Sequence, residues 1–403
     1  MRRVGLLGGI AAVVAAGAAV GLAVERYAVG RTRLRPDPLA AEPLGELVGT
    51  ERTVLVAGGV PLCVLESGPG DGVPLGARAA LPAGGGPRGV VADGRAEDGL
   101  AVVFVHGYVL DRRCWYFQWR DLRDLGRLIC YDQRGHGRSG RGARELATVD
   151  QLGADLLTVL DAVAPTSPVV LVGHSMGAMA IMALAERRPD VFSRRVAGVG
   201  LISTSAGNLR EVTLGLPAIV TRAFRSVTPV AVKVVERRTD LVERGRRVGS
   251  DVAFLLTKWY SFGSGVSPSL VAFVERMIAG VRVDVMTEFL PTLLEHDRTA
   301  ALEPLLGVPV LILTGDRDKQ TPLAHSRAIA AALPAAELVV VPDAGHLVML
   351  ERPDEVNAAL RQLVRRAARP ATTDSATGPI TGRRRRPRSG SPAADPAADS
   401  RRA

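Results

Sequence analysis

From about residue 50 onward, short apolar runs alternate with longer amphipathic ones. "RTVLVAGGVPLCVLES" reads as two antiparallel strands joined at a Gly-Gly turn. "AVVFVH", "RLICYD", "SPVVLVG", "VAGVGLIS", "VPVLILTG" and "ELVVVP" follow as β-branched runs too short to be helices. Strands this uniformly apolar, with helical segments between them, need a sheet covered on both faces, and such sheets are mostly parallel. The pattern therefore predicts an α/β fold with about eight strands, two from the hairpin and six more.

Four stretches break the alternation. Val4 to Val24 carries no charge and is about long enough to cross a bilayer as a helix. Residues 1–38 are expected to form a single-pass membrane anchor plus linker, with a cleaved signal segment and secretion as the alternative. Arg2 and Arg3 on one flank and Arg26, Arg31, Arg33 and Arg35 on the other leave the side of the membrane open. Residues 67–99 are rich in Gly and Pro and read as a surface insertion. Residues 206–300 form a connection far too long for a crossover and read as amphipathic helices. A cap over a pocket is expected there, with extra packing on the flank of the sheet as the plain alternative. Residues 371–403 have almost no large apolar side chains and are expected to be a disordered basic tail. The first part of the core then covers 39–205 and the second part 301–370.

Composition refines this only slightly. Of 403 residues, 47% are hydrophobic and 23% charged, which excludes wholesale disorder. The net charge is +10, but from Arg369 onward there are eight Arg against three Asp, so half the excess lies in the tail. No nucleic-acid groove is expected from such a distribution. Cys63, Cys114 and Cys130 are odd in number, have no metal-ligand spacing and suggest no disulfide framework. Nothing in the pattern speaks to oligomeric state.

The candidate chemistry begins at "VVLVGHSMGAMAIMALAERRPD", where Ser175 sits in Gly-x-Ser-x-Gly between a strand and a helix. In a chain with 44 glycines that motif alone is weak, but a sharp strand-to-helix turn is the context it requires. Gly173 and Gly177 are expected to be glycines because side chains there would collide with the neighbouring strand and helix. A helix starting at Met176 would aim its free N–H groups at a developing oxyanion.

A serine needs a base. Among the histidines, His346 in "VPDAGHLVMLERPDEV" follows a strand and falls at the same sheet edge as Ser175. His174 adjoins the serine but should point elsewhere; His296 and His325 read as surface or packing residues, and His136 as part of a turn. The base needs an orienting carboxylate, and "LILTGDRDKQTP" supplies Asp318, with Asp316 as the second choice. Expected oxyanion donors are the backbone N–H groups of Met176 and of Tyr108 in "FVHGY". Tyr108, Trp259 and Phe262 are candidate substrate contacts; Met277, Met286 and Phe289 could also line an acyl site, although such residues more often pack a core. The scheme needs no metal and no organic cofactor.

In chain order, "FVHGY", "YDQRGHGRS", "GHSMG", "GDRD" and "AGH" resemble the motifs of the α/β-hydrolase fold over about residues 50 to 370. The resemblance implies a serine-nucleophile member with a helical cap, of the esterase, lipase and peroxidase-like branch. It implies carboxylic ester cleavage of small or lipid-like substrates through a Ser175–His346–Asp318 triad. A catalytically inactive binding protein on this fold, or thioester, amide, perhydrolase or C–C bond chemistry on the same triad, is the alternative. Dehalogenases and epoxide hydrolases of this fold would carry Asp where Ser175 stands.

Overall fold

The computed structural model describes residues 36–67, 99–212 and 251–368. The uncharged run at 4–24, nearly all of the 67–99 insertion, the 213–250 part of the long connection and the basic tail lie outside them.

Strands β1 (Thr50–Val56) and β2 (Val60–Glu66) form the expected hairpin, with Val56 opposite Val60 and Gly58 and Gly59 both at positive φ. The other strands are β3 (Ala101–Val105), β4 (Arg127–Tyr131), β5 (Val169–His174), β6 (Val196–Ile202), β7 (Val310–Gly315) and β8 (Glu337–Val341). They make one eight-stranded sheet in the order β1-β2-β4-β3-β5-β6-β7-β8. β2 runs antiparallel to β4, and every pairing from β4 to β8 is parallel. The described helices are α1 (Tyr116–Asp121), α2 (Val149–Val163), α3 (Met176–Arg187), α4 (Pro189–Arg195), α5 (Asp251–Ser261), α6 (Pro268–Gly280), α7 (Val283–Leu294), α8 (Leu323–Ala332), α9 (Val348–Glu351) and α10 (Pro353–Ala367).

Both faces of the sheet are covered, which is why its strands read as unbroken apolar runs. On one face Phe104, Cys130, Val172 and Leu313 pack with Trp115 and with Leu360 and Leu363 of α10. On the other, Val103, Val105, Ile129 and Leu171 pack with Leu156, Val159 and Leu160 of α2 and Ile181 of α3. β3 alternates between the two layers residue by residue, as strand geometry demands.

The chain leaves β3 for β4 on one side and returns to β5 on the other. Loops at the carboxyl ends of strands diverge at such a reversal and leave a crevice. The segments after β3, β4, β5, β6, β7 and β8 all emerge along that edge. Helices α5, α6 and α7 belong to the long connection between β6 and β7. Among the described residues no helix is long and apolar enough to cross a membrane.

Candidate active site

Ser175 joins β5 to α3 at φ 50° and ψ −116°, a conformation that costs a non-glycine residue roughly 1–3 kcal/mol. Its surroundings leave no other path. A Cβ at Gly173 would lie 2.5 Å from Ala178 N, and one at Gly177 would lie 2.2 Å from Val105 O. The turn is also held from outside. Ser175 N–H donates to Ile202 O at 2.9 Å, and Ser175 O accepts from Thr204 Oγ1 at 3.0 Å. Met176 is the first residue of α3, and the first N–H groups of a helix have no partner within it.

Asp318 and Asp316 both follow β7, yet only one faces His346. Asp316 is exposed; Asp318 is buried, and its Oδ2 lies 2.8 Å from His346 Nδ1. The same oxygen accepts from Thr321 Oγ1, while Oδ1 accepts from the N–H groups of Gln320 and Thr321. Burial by itself would raise the Asp318 pKa. The neighbouring His346 and the Thr321 hydrogen bonds outweigh it and hold the carboxyl below its usual value. With Nδ1–H committed to Asp318, His346 Nε2 is left as the basic nitrogen.

His174 connects the elbow to this pair. Its ring centroid is 4.8 Å from that of His346, and its Nε2–H donates to His346 O at 3.0 Å. Burial, together with the nearby His346, depresses its pKa to about 3, so the ring is neutral. His174 is thus a brace for the loop that carries His346, a part its sequence position did not suggest. Among the described residues, no hydrogen bond joins the Ser175 hydroxyl to the His346 ring. Such contacts commonly tighten only once substrate is bound.

The loop after β3 carries the second expected oxyanion donor, Tyr108. Gly107 must be glycine, since a Cβ there would sit 2.5 Å from His174 Nδ1. Val109 has φ 55°, which is strained for a β-branched residue. Two buried histidines fix this loop. His106 Nε2 accepts from Gln133 N–H at 2.9 Å, so its Nδ1 carries the proton and donates to Gly107 O. His136 Nε2 accepts from Val109 N–H at 3.3 Å, and its Nδ1–H donates to Arg134 O. Burial keeps both rings neutral, His136 with a pKa of about 3. The sequence assigned His136 to a turn; in the fold that turn also props the loop after β3. Arg134 forms a bidentate pair with Asp155 of α2, both side chains 2% exposed, and so ties the turn to the core.

The apolar candidates separate. Tyr108 is half-buried, and its hydroxyl donates to Met286 O on α7. Tyr108, Val109, Leu209 and Met286 pack against Met176, Val285 and Phe289 beside the start of α3. Phe262 is buried in the main core with Leu347 and Val348, and Met277 lies in the same layer. Trp259 is on the outside, with Lys319 Nζ 4.3 Å over its ring. His296 is buried rather than exposed, and burial lowers its pKa to about 4. His325, half-buried on α8, lies 2.8 Å from Ser205 Oγ.

A cavity of about 360 Å³ is lined by Asp111, Arg112, Arg113, Asp132, Arg138 and Met277, among others, and not by Ser175, Asp318 or His346. Its charges are already engaged: Arg113 with Asp111, Arg112 and Arg138 with Glu51, and Asp132 with the N–H groups of Arg112 and Arg138. Among the described residues no cluster of His, Cys, Asp and Glu is arranged to hold a metal ion.

The sequence signature of the Alpha/beta hydrolase family matches residues 102–359. The dihydrolipoyllysine-residue acetyltransferase component of the acetoin cleaving system of Pseudomonas putida is 30% identical over 273 residues, which are 67% of this chain and 65% of that one. The chain therefore spans slightly less than two thirds of that relative. The mouse sn-1-specific diacylglycerol lipase ABHD11 is 26% identical over 258 residues, 63% of this chain and 78% of the lipase. Among solved structures, a thermophilic esterase from Thermogutta terrifontis superposes with a TM-score of 0.55 at 24% identity, covering 79% of this chain and 99% of the esterase.

Proposed function

The chain belongs to the alpha/beta hydrolase family, and on that premise we propose that it is a serine hydrolase cleaving carboxylic esters of small or lipid-like molecules. The observation that carries the reading is the 2.8 Å Asp318–His346 hydrogen bond, set beside a serine held in a strained turn. In the proposed reaction His346 Nε2 takes the Ser175 proton as the hydroxyl attacks the ester carbonyl. Two preorganised donors, the N–H groups of Met176 and Tyr108, receive the oxyanion. Asp318 stabilises the imidazolium and fixes its tautomer. His346 then returns the proton to the departing alkoxide, leaving Ser175 acylated. Water, deprotonated by His346, attacks the acyl carbon and releases the acid and the free serine.

An apolar acyl group is supported by the half-buried side chains of Tyr108, Val109, Leu209 and Met286 next to the oxyanion donors. In this proposal the helices between β6 and β7 act as a cap. The names of the mouse lipase and the Thermogutta esterase agree with ester chemistry. The uncharged run Val4–Val24, outside the described residues, adds a proposed membrane anchor. Release of the full chain from membranes by alkaline carbonate would refute that part.

The direct test is labelling by a fluorophosphonate. Wild type should react, and Ser175→Ala should not; equal labelling rules out the mechanism. A panel of p-nitrophenyl esters graded by chain length then reads the acyl preference, expected to favour medium over acetyl chains.

A further inference from the structure

Glu351 ends the short helix α9, whose other residues, Val348, Met349 and Leu350, are apolar and buried. It is buried as well, and among the described residues its carboxylate has no cationic partner. Backbone donors from two separate segments satisfy it instead. Gly345 N–H, one residue before the base, donates to Oε2 at 2.7 Å. From the turn after α5, Gly263 N–H donates at 3.0 Å, and both Ser264 N–H and Ser264 Oγ–H donate at 2.6 Å.

The two segments touch through bare backbone. A Cβ on Gly345 would lie 2.5 Å from Gly263 N, and one on Gly263 would lie 2.6 Å from Ala344 C. No side chain stands between them to absorb a displacement. The carbonyls at the end of α5, which a helix leaves unpaired, are also taken up by the acid and base loops. Lys319 Nζ donates to Trp259 O at 2.7 Å, Gln320 Nε2 to Tyr260 O at 3.4 Å and Leu347 N–H to Ser261 O at 2.9 Å, and in the turn that follows Arg317 Nη1 donates to Gly263 O at 3.1 Å. Asp318 and His346 thus sit on loops that serve as the cap of this helix end.

We propose that Glu351 is a positioning residue for His346, and that it makes the seating of the helical insertion and the alignment of the base one event. The carboxylate staples the α5–α6 turn to Gly345. A shift of that turn must move the backbone on which the imidazole is mounted. The inference rests on His346 being the base, as proposed above. It adds that turnover, rather than substrate affinity alone, responds to how the insertion is seated.

Glu351→Gln keeps the shape but turns one acceptor into an NH₂ group facing N–H donors. Its kcat on a short p-nitrophenyl ester, normalised to folded enzyme, should fall about 10-fold to 10²-fold, as ångström-scale misplacement does. KM should change much less, and the fluorophosphonate labelling rate should fall in parallel with kcat. A merely structural glutamate would lower the unfolding midpoint and leave these normalised rates alone, and that result overturns the proposal. Should Glu351→Gln fail to fold, Ser264→Ala decides. It removes a single hydroxyl from the insertion side; kcat should drop several-fold, and an unchanged kcat overturns the proposal. Ser175→Ala separates the two claims. If it abolishes labelling while Glu351→Gln is kinetically normal, only the positioning role falls; if it labels like wild type, the triad itself is wrong.

Discussion

Asp318→Asn is the sharpest perturbation the site offers. Asp318 Oδ1 accepts two backbone N–H groups, so an asparagine carbonyl would settle there and its NH₂ group would take the place of Oδ2. That NH₂ would face His346 Nδ1, now 2.8 Å from Oδ2, and could only donate to it. The imidazole would have to move its proton to Nε2, the nitrogen required to accept from Ser175. The charge is lost as well. Two unit charges 2.8 Å apart in an effective dielectric of about 20 attract by about 6 kcal/mol, a little over four decades in rate. Serine proteases carrying the same exchange lose about 10⁴ in kcat. The expected result is a fall in kcat/KM of about 10³ to 10⁴, with only a modest drop in the unfolding midpoint, because the amide fills the same space but loses the charge its surroundings favour. Hydrolysis of a p-nitrophenyl ester, followed from pH 6 to 9 alongside urea unfolding, measures both. Activity within tenfold of wild type would mean that Asp318 does not orient the base, whatever its hydrogen bond.

Gly177→Ala puts a methyl group 2.2 Å from Val105 O, so the urea midpoint should drop by the equivalent of about 1–3 kcal/mol and fluorophosphonate labelling should slow; wild-type values for both would contradict the steric account of the elbow. His136, His174 and His296 have folded pKa values of about 3, 3 and 4, below the ordinary value near 6.5. Below about pH 6.5 the unfolded chain binds protons that the folded chain refuses, so stability is full above that pH and is lost progressively as pH falls towards the folded values, about 4 for His296 and about 3 for the other two. Unfolding midpoints at pH 7.5 and pH 5 should differ by the equivalent of about 2 kcal/mol per histidine, and a flat profile would show that these rings are not held neutral. Arg134→Met strands the buried Asp155 carboxylate and should cost about 3–5 kcal/mol, whereas Arg134→Met with Asp155→Leu should recover much of that loss; equal instability of the single and double variants would argue against a buried pair.

The sequence alone determined the strands and the cover on both faces of their sheet. Burial on both sides of a parallel sheet leaves a local signature, an unbroken β-branched run, and each of the runs quoted became a strand. It also determined the elbow, because the steric reason for Gly173 and Gly177 acts on neighbours a few residues away and on the strand packed directly beside them. The choice between Asp316 and Asp318 could be voiced from the sequence but not settled, since the two differ only in which of them the β7 loop turns inward.

Tertiary structure decided everything that depends on a partner far along the chain. His174 braces the backbone of His346, His136 supports Val109, and Glu351 joins Gly345 to Gly263 and Ser264. No spacing announces these pairs, and each is set by which loops the sheet order brings to one edge. Glu351 did leave a trace, a carboxylate directly after the apolar run "LVML". An acidic side chain cannot be buried there unless other segments supply its hydrogen bonds, and only the folded chain reveals which segments those are.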